Sequence, residues 1–241
     1  MLFIRNDPTA PEALLGDVFT ESGFEVTTFD VIAPQKPDDP KVEVSFPDPS
    51  GFDVVVPLGS RWGVNDEGLG WVADEMAMVR SALAVGVGVL GVCFGGQLLA
   101  AALGGSVQRA PRPEIGWYDV HSDAPDLIPG GPWFQWHFDR FTPPPEATVL
   151  ARTEQATQAF VLGRAMGLQF HPEVDPALVE QWIGSGELDA LDIDTLDIDP
   201  DAVRQRTASL ADDAARRLRL LVRGFLGRLD NEVGDGPRGL G

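Results

Sequence analysis

A single cysteine, Cys93, in a chain of 241 residues leaves no partner for an internal disulfide and no thiolate set for a zinc site. Positive charge is scarce as well. Lys and Arg number 18 against 37 Asp and Glu, a formal net charge of −19. With a sequence pI near 4.3, the chain lacks the clustered cations that nucleic acids and anionic membranes require. The P-loop pattern G-x-x-x-x-G-K-[ST] is missing too. The opening residues, MLFIRNDPTAPE, reach charge at Arg5 and Asp7 before any apolar run long enough for a signal peptide. These absences set the expectation of an acidic, cytoplasmic globular protein that contacts neither nucleic acid nor membrane.

One stretch resists that reading. Ser81 to Gln108 holds no charged residue and is long enough to span a bilayer. It carries seven glycines (86, 88, 91, 95, 96, 104, 105), however, which suit a continuous helix poorly. It divides instead into a β-like half, VGVGVLGV, and a helix-like half, FGGQLLAAALG. A buried strand followed by a helix is the expected structure.

The hydrophobic content, 44%, supplies a sizeable core. Strands are expected at residues 2–5, at 24–29, within FDVVVPLGS and at 86–92, with helical spacing over 11–21 and 67–85. Strands alternating with helices imply βαβ units and an α/β fold, a mostly parallel sheet flanked by helices. The middle of the chain, about 105–170, carries short alternating pieces (TVLART, QAFVLG, MGLQF) that predict added antiparallel strands. ALVEQWI and a long amphipathic stretch from about Asp201 to Leu229 predict terminal helices. Between them, about 184–200, an acidic duplicated segment (LDIDT, LDIDP) lacks the glycine and closing glutamate of a calcium loop and is expected to be a solvated insertion. One domain is expected over 1–230, with a flexible tail over 231–241.

The chemistry concentrates in Gly91-Val92-Cys93-Phe94-Gly95-Gly96-Gln97. A G-x-C-x-G pattern between an apolar strand and an apolar helix is the cysteine counterpart of a nucleophile elbow. Small flanking residues allow the tight turn, and the helix N-terminus favours the reactive thiolate. The Phe94 N–H is then placed to help bind an oxyanion. A nucleophile of this kind needs a base. His171, in LQFHPEV, ends a predicted strand, and Glu173 lies two residues on, pointing the same way in an extended chain. Pro172 between them keeps the pair extended.

GVCFGGQ and FHPEV together resemble the signature pair of the class I glutamine amidotransferases, in order and spacing over most of residues 1–183. The resemblance implies the flavodoxin-like fold of that family and a Cys93–His171–Glu173 triad that hydrolyses the side-chain amide of L-glutamine without metal or cofactor. It also implies oxyanion donors at Phe94 and Gly59, the latter in a PLGS turn where the family often has Gly-Gly-Pro. Gln97 would line the amide pocket. Glu114, Gly116 and Trp117 resemble the segment facing the substrate's amino-acid end, and His137, in WHFD, resembles the middle motif of the GMP-synthase-like branch. With no room for a second catalytic domain in this sequence, an ammonia acceptor is expected on another chain, a synthetase partner in trans. The alternatives are a γ-glutamyl hydrolase using the same triad and a catalytically silent regulatory subunit.

Overall fold

The computed structural model describes residues 1–185 and 198–234. The expected alternation is present: β1 (Leu2–Arg5), α1 (Ala13–Glu21), β2 (Thr27–Asp30), β3 (Val54–Pro57), α2 (Gly70–Ala84), β4 (Gly88–Val92) and α3 (Phe94–Ala102). The charge-free stretch is therefore β4 and α3, and no described helix is long and apolar enough to cross a membrane. β2, β1, β3 and β4 run parallel, with Leu2 opposite both Thr27 and Val55, and Val54 opposite Gly88.

Alternating side chains divide the core into two layers. Phe3, Val54, Val56, Leu90 and Val92 pack with Leu15, Val18 and Phe19 of α1. Leu2, Ile4, Val55 and Val89 face the other way, onto Val72 and Val79 of α2 and Leu98 and Leu99 of α3. A sheet covered on both faces has no polar side, which is why these strands read as unbroken apolar runs.

The remaining elements are β5 (Ser106–Ser122), β6 (Gly131–Thr142), β7 (Thr148–Arg152), β8 (Thr157–Leu162), β9 (Ala165–Leu168), α4 (Pro176–Gly184) and α5 (Pro200–Gly234). The nine strands lie in the order β2-β1-β3-β4-β9-β8-β7-β5-β6. This is the mixed, flavodoxin-like α/β architecture expected from the resemblance. On α5, Leu218, Leu221, Val222, Phe225 and Leu229 join the α1 layer, so the helix is packed against the sheet along one stripe.

Three differences from the sequence-based expectation have physical reasons. β2 begins at Thr27 rather than Phe24, because Phe24 turns inward to stack edge-on against Phe19 at 5.6 Å. β9, the MGLQF piece, is not only an antiparallel addition: it pairs parallel to β4 and antiparallel to β8, joining the two halves of the sheet. β5 and β6 form one long antiparallel pair, from Ser106 opposite Thr142 to Val120 opposite Gly131. Its register shifts between Arg109 and Glu114, a bulge that absorbs Pro111 and Pro113. Most of the acidic segment near 184–200, and the tail beyond Gly234, lie outside the described residues.

Candidate active site

In a parallel sheet, loops leaving the carboxyl ends of adjacent strands converge on one edge. Here that edge gathers the turns after β1, β3, β4 and β9. Cys93 follows β4 directly with φ 49° and ψ −107°, one of two non-glycine residues with positive φ among those described. Such strain persists only where neighbours enforce it. The Cys93 N–H donates to the Leu168 carbonyl at 2.9 Å, and its own carbonyl accepts from the Gln97 N–H at 2.9 Å, starting α3. The flanking glycines are sterically required. A Cβ on Gly95 would stand 2.0 Å from the Pro57 carbonyl oxygen, and one on Gly96 would stand 2.2 Å from that of Leu168. Gly95→Ala is therefore expected to cost about 3 kcal/mol or more, read as a lower denaturation midpoint; an unchanged midpoint would show that α3 can slide away from β3.

His171 is anchored through its N–H, which donates to the Phe134 carbonyl at 2.8 Å. Its Nδ1 lies 2.6 Å from Glu173 Oε1, both side chains being buried. Burial alone would lower the imidazole pKa, but Glu173 and, after it, Cys93 outweigh that effect and hold His171 well above its usual range. With Nδ1 committed to Glu173, Nε2 is the atom left for chemistry. It is buried and has no hydrogen-bond partner among the described residues. Cys93 and His171 share the lining of a small cavity of about 40 Å³, with Thr9, Ala10, Trp136 and Trp182. On its other side Cys93 opens into a cavity of about 320 Å³, walled by Gln97, Trp62, Trp136 and His137 and edged by Arg61, Asp66, Arg109 and Asp139.

The other residues singled out from the sequence divide into two groups. Gln97 and Phe94 line the larger cavity, and Gln97 Nε2 donates to the Asp139 carbonyl at 3.0 Å. His137 lines it too. Its Nδ1 reaches the same Asp139 carbonyl at 3.0 Å, while Nε2 stands 3.1 Å from Glu114 Oε2. Glu114 sits behind His137, accepting from Thr153 Oγ1 at 3.1 Å and Gln158 Nε2 at 2.9 Å. Glu114, Gly116 and Trp117 are not on the wall of either cavity. Trp117 Nε1 donates to Thr207 of α5 at 2.8 Å, and a Cβ on Gly116, at φ 104°, would meet Val203 of α5. Gly59 lies against the imidazole, where a Cβ would stand 3.2 Å from His171 Cε1, whereas its neighbour Ser60 lines both cavities.

Sequence reasoning passed over the supports. Asp7, fully buried, accepts from Thr9 and from the Arg61 backbone N–H and Nε at 3.1 and 2.8 Å. Its burial would raise the carboxyl pKa, but Arg61 and Thr9 prevail and hold it below the ordinary value. Gln169 Nε2 and the Trp136 carbonyl each approach Cys93 Sγ at 3.9 Å. The available signal was positional: polar residues just past the end of a buried parallel strand, as in Asn6-Asp7 after β1 and QFH after β9.

Glu75 of α2 is wholly buried, and desolvation pushes its carboxyl up to about 8, with a hydrogen bond from Asn6 opposing. The stability tied to its proton is fully present below 4.5, the unfolded value, and is lost as pH rises through the folded value. Relative to Glu75→Gln, the wild type should lose on the order of 1 kcal/mol per pH unit across that window. Thermal melts of both proteins in mildly acid and mildly alkaline buffer test this, and an unchanged gap between them would contradict it.

A mixed α/β sheet whose central strand feeds a strained cysteine elbow, faced by a His–Glu pair just past β9, defines the class: a cysteine-elbow α/β protein. The family described as glutamine amidotransferase class-I matches residues 62–183, half of the chain. The chain belongs to that family. A glutamine-hydrolyzing GMP synthase from Aeropyrum pernix is 42% identical over 125 residues, 48% of this chain and 22% of that one. A glutamine-hydrolyzing GMP synthase subunit from Sulfurisphaera tokodaii is 37% identical over 94 residues, 35% of this chain and 50% of the relative. The matches thus take in at most about half the length of these relatives. A solved glutamine amidotransferase from Thermotoga maritima superposes with a TM-score of 0.79 at 28% identity, covering 93% of this chain and 96% of that one.

Proposed function

We propose that this chain hydrolyses the side-chain amide of L-glutamine through a γ-glutamyl thioester on Cys93, and that the ammonia passes to a synthetase on a separate chain. The observation that carries the reading is the shared cavity of Cys93 and His171, with Glu173 holding the far side of the ring. The names of the Aeropyrum and Sulfurisphaera relatives, both glutamine-hydrolyzing, support the substrate.

The steps balance on these groups. The Cys93 thiolate adds to the amide carbon, and the carbonyl electrons move to oxygen, held by the Phe94 N–H and by the turn at Gly59 and Ser60. The His171 imidazolium gives its Nε2 proton to the nitrogen, the C–N bond breaks and ammonia leaves. A water then adds to the thioester, its proton going to the now neutral imidazole. The C–S bond breaks, glutamate departs, and thiolate and imidazolium are restored. Glu173 stabilises the charged ring throughout without itself taking the proton. Gln97 and His137, fixed on one carbonyl, shape the wall against which the amino-acid end rests.

Assay of glutamate release from glutamine against γ-glutamyl amines tests the substrate. A higher kcat/KM for glutamine is expected. Preference for the amines would assign the same triad to a γ-glutamyl hydrolase, and no turnover of either would leave a regulatory subunit.

A further inference from the structure

Two adjacent residues behind β1 grip the turn behind β3 at both ends. Asn6 Nδ2 donates to the Leu58 carbonyl at 3.2 Å, and Asp7 accepts from the Arg61 N–H at 3.1 Å. Between the grips lie Gly59, against the imidazole of His171, and Ser60, on the wall of both cavities at Cys93. A trans peptide points its C=O and N–H in opposite directions. The bond to the Leu58 oxygen therefore also sets where the Gly59 N–H aims.

Behind Asn6 sits Glu75, whose Oε1 accepts from the same Nδ2 at 3.3 Å. One atom on each side chain, Asn6 Oδ1 and Glu75 Oε2, is buried without a hydrogen-bond partner among the described residues. These two atoms are complementary only when Glu75 keeps its proton. An amide and a carboxylic acid can then exchange N–H···O and O–H···O bonds in one ring, whereas a carboxylate offers acceptors alone. Desolvation favours the protonated form, with the carboxyl pushed up to about 8.

We propose that Glu75 is a positioning residue: as the acid half of an acid–amide pair it orients Asn6, which holds the Leu58 carbonyl and so aims the Leu58–Ser60 turn at the oxygen of the carbonyl attacked by Cys93. The proposal rests on the glutamine-hydrolysis reading, in which that turn supplies an oxyanion donor. Glu75 itself lines neither cavity, so its effect runs through Asn6 and the turn.

Glu75→Gln keeps a donor for Asn6 Oδ1 and an acceptor for Asn6 Nδ2; Glu75→Met keeps neither. The Gln variant should retain kcat within about twofold, while the Met variant loses about tenfold or more in kcat with KM changed less than about threefold, because a misaimed oxyanion donor is felt in the transition state. Alkylation of Cys93 by iodoacetamide, which needs no oxyanion hole, should stay within about twofold of wild type in both. Amide hydrogen exchange at Gly59 and Ser60 should quicken in the Met variant and not in the Gln variant, whatever the activity. If Glu75→Met does not fold, Asn6→Ser breaks the same link and is read in the same ways. Wild-type kcat and exchange in the Met variant, or equal damage in Gln and Met, would overturn the proposal. So would an infrared spectrum at neutral pH without a protonated-carboxyl band that Glu75→Gln removes. A wild-type protein that releases no ammonia overturns the hydrolysis reading instead, and the exchange data then still decide whether Glu75 aims the turn.

Discussion

Cys93→Ala should reduce ammonia release from glutamine by at least about 10⁴-fold, since every covalent step passes through its sulfur. The fold should survive, because the change removes one buried atom and keeps the elbow's hydrogen bonds, which come from the backbone. Cys93→Gly is the informative companion. It is equally inactive by this account, yet it relieves the positive φ at position 93 and should melt above the alanine variant by an amount equivalent to about 1 kcal/mol. Ammonia assay and thermal melting of the two variants together separate loss of the nucleophile from loss of the turn. Residual turnover within tenfold of wild type in either would contradict a thioester route.

Glu173→Gln should have the second largest effect, a fall in kcat of about 10²–10⁴-fold, as when the orienting carboxylate of a triad is made an amide. Two causes act together. An amide in place of the carboxylate at 2.6 Å no longer fixes which ring nitrogen carries the proton. It also removes the largest influence raising the His171 pKa, leaving burial opposed by Cys93 alone, so that the pKa falls. In the wild type, proton donation to departing ammonia persists until pH rises through that elevated value. In the variant the alkaline limb of the kcat/KM profile should move to lower pH. A fall in kcat with the limb unmoved would mean that Glu173 orients the ring without charging it.

How much of this was legible depends on how local each signal is. The elbow and the His-Pro-Glu pair are dictated within a few residues: tight turns demand Gly95 and Gly96, whose missing Cβ atoms leave space for the Pro57 and Leu168 carbonyls. The parallel strands were legible for the same reason, since burial on both faces permits nothing but apolar side chains. The long β5–β6 pair was not, because Gln108-Arg109-Ala110-Pro111-Arg112-Pro113 has the composition of a loop and is extended only by pairing with a partner strand and by its bulge. Long-range partners also hid the supports. Asn6 and Asp7 acquire their roles from a turn more than fifty residues away, and Glu75 looks like any charged helix residue until folding buries it against Asn6. Glu114 was singled out because its segment resembles one that faces the substrate's amino-acid end; its carboxylate accepts from Thr153 and Gln158 and lies beside His137, and it lines neither cavity.

The most direct test is to treat the protein with a glutamine-mimicking electrophile and map the modified residue by mass spectrometry. One adduct is expected, on Cys93, formed more slowly when glutamine competes and much more slowly in Glu173→Gln. An adduct on any other side chain, or labelling of Cys93 indifferent to glutamine, would contradict the claim that this sulfur and the imidazole of His171 make up a glutamine-cleaving site.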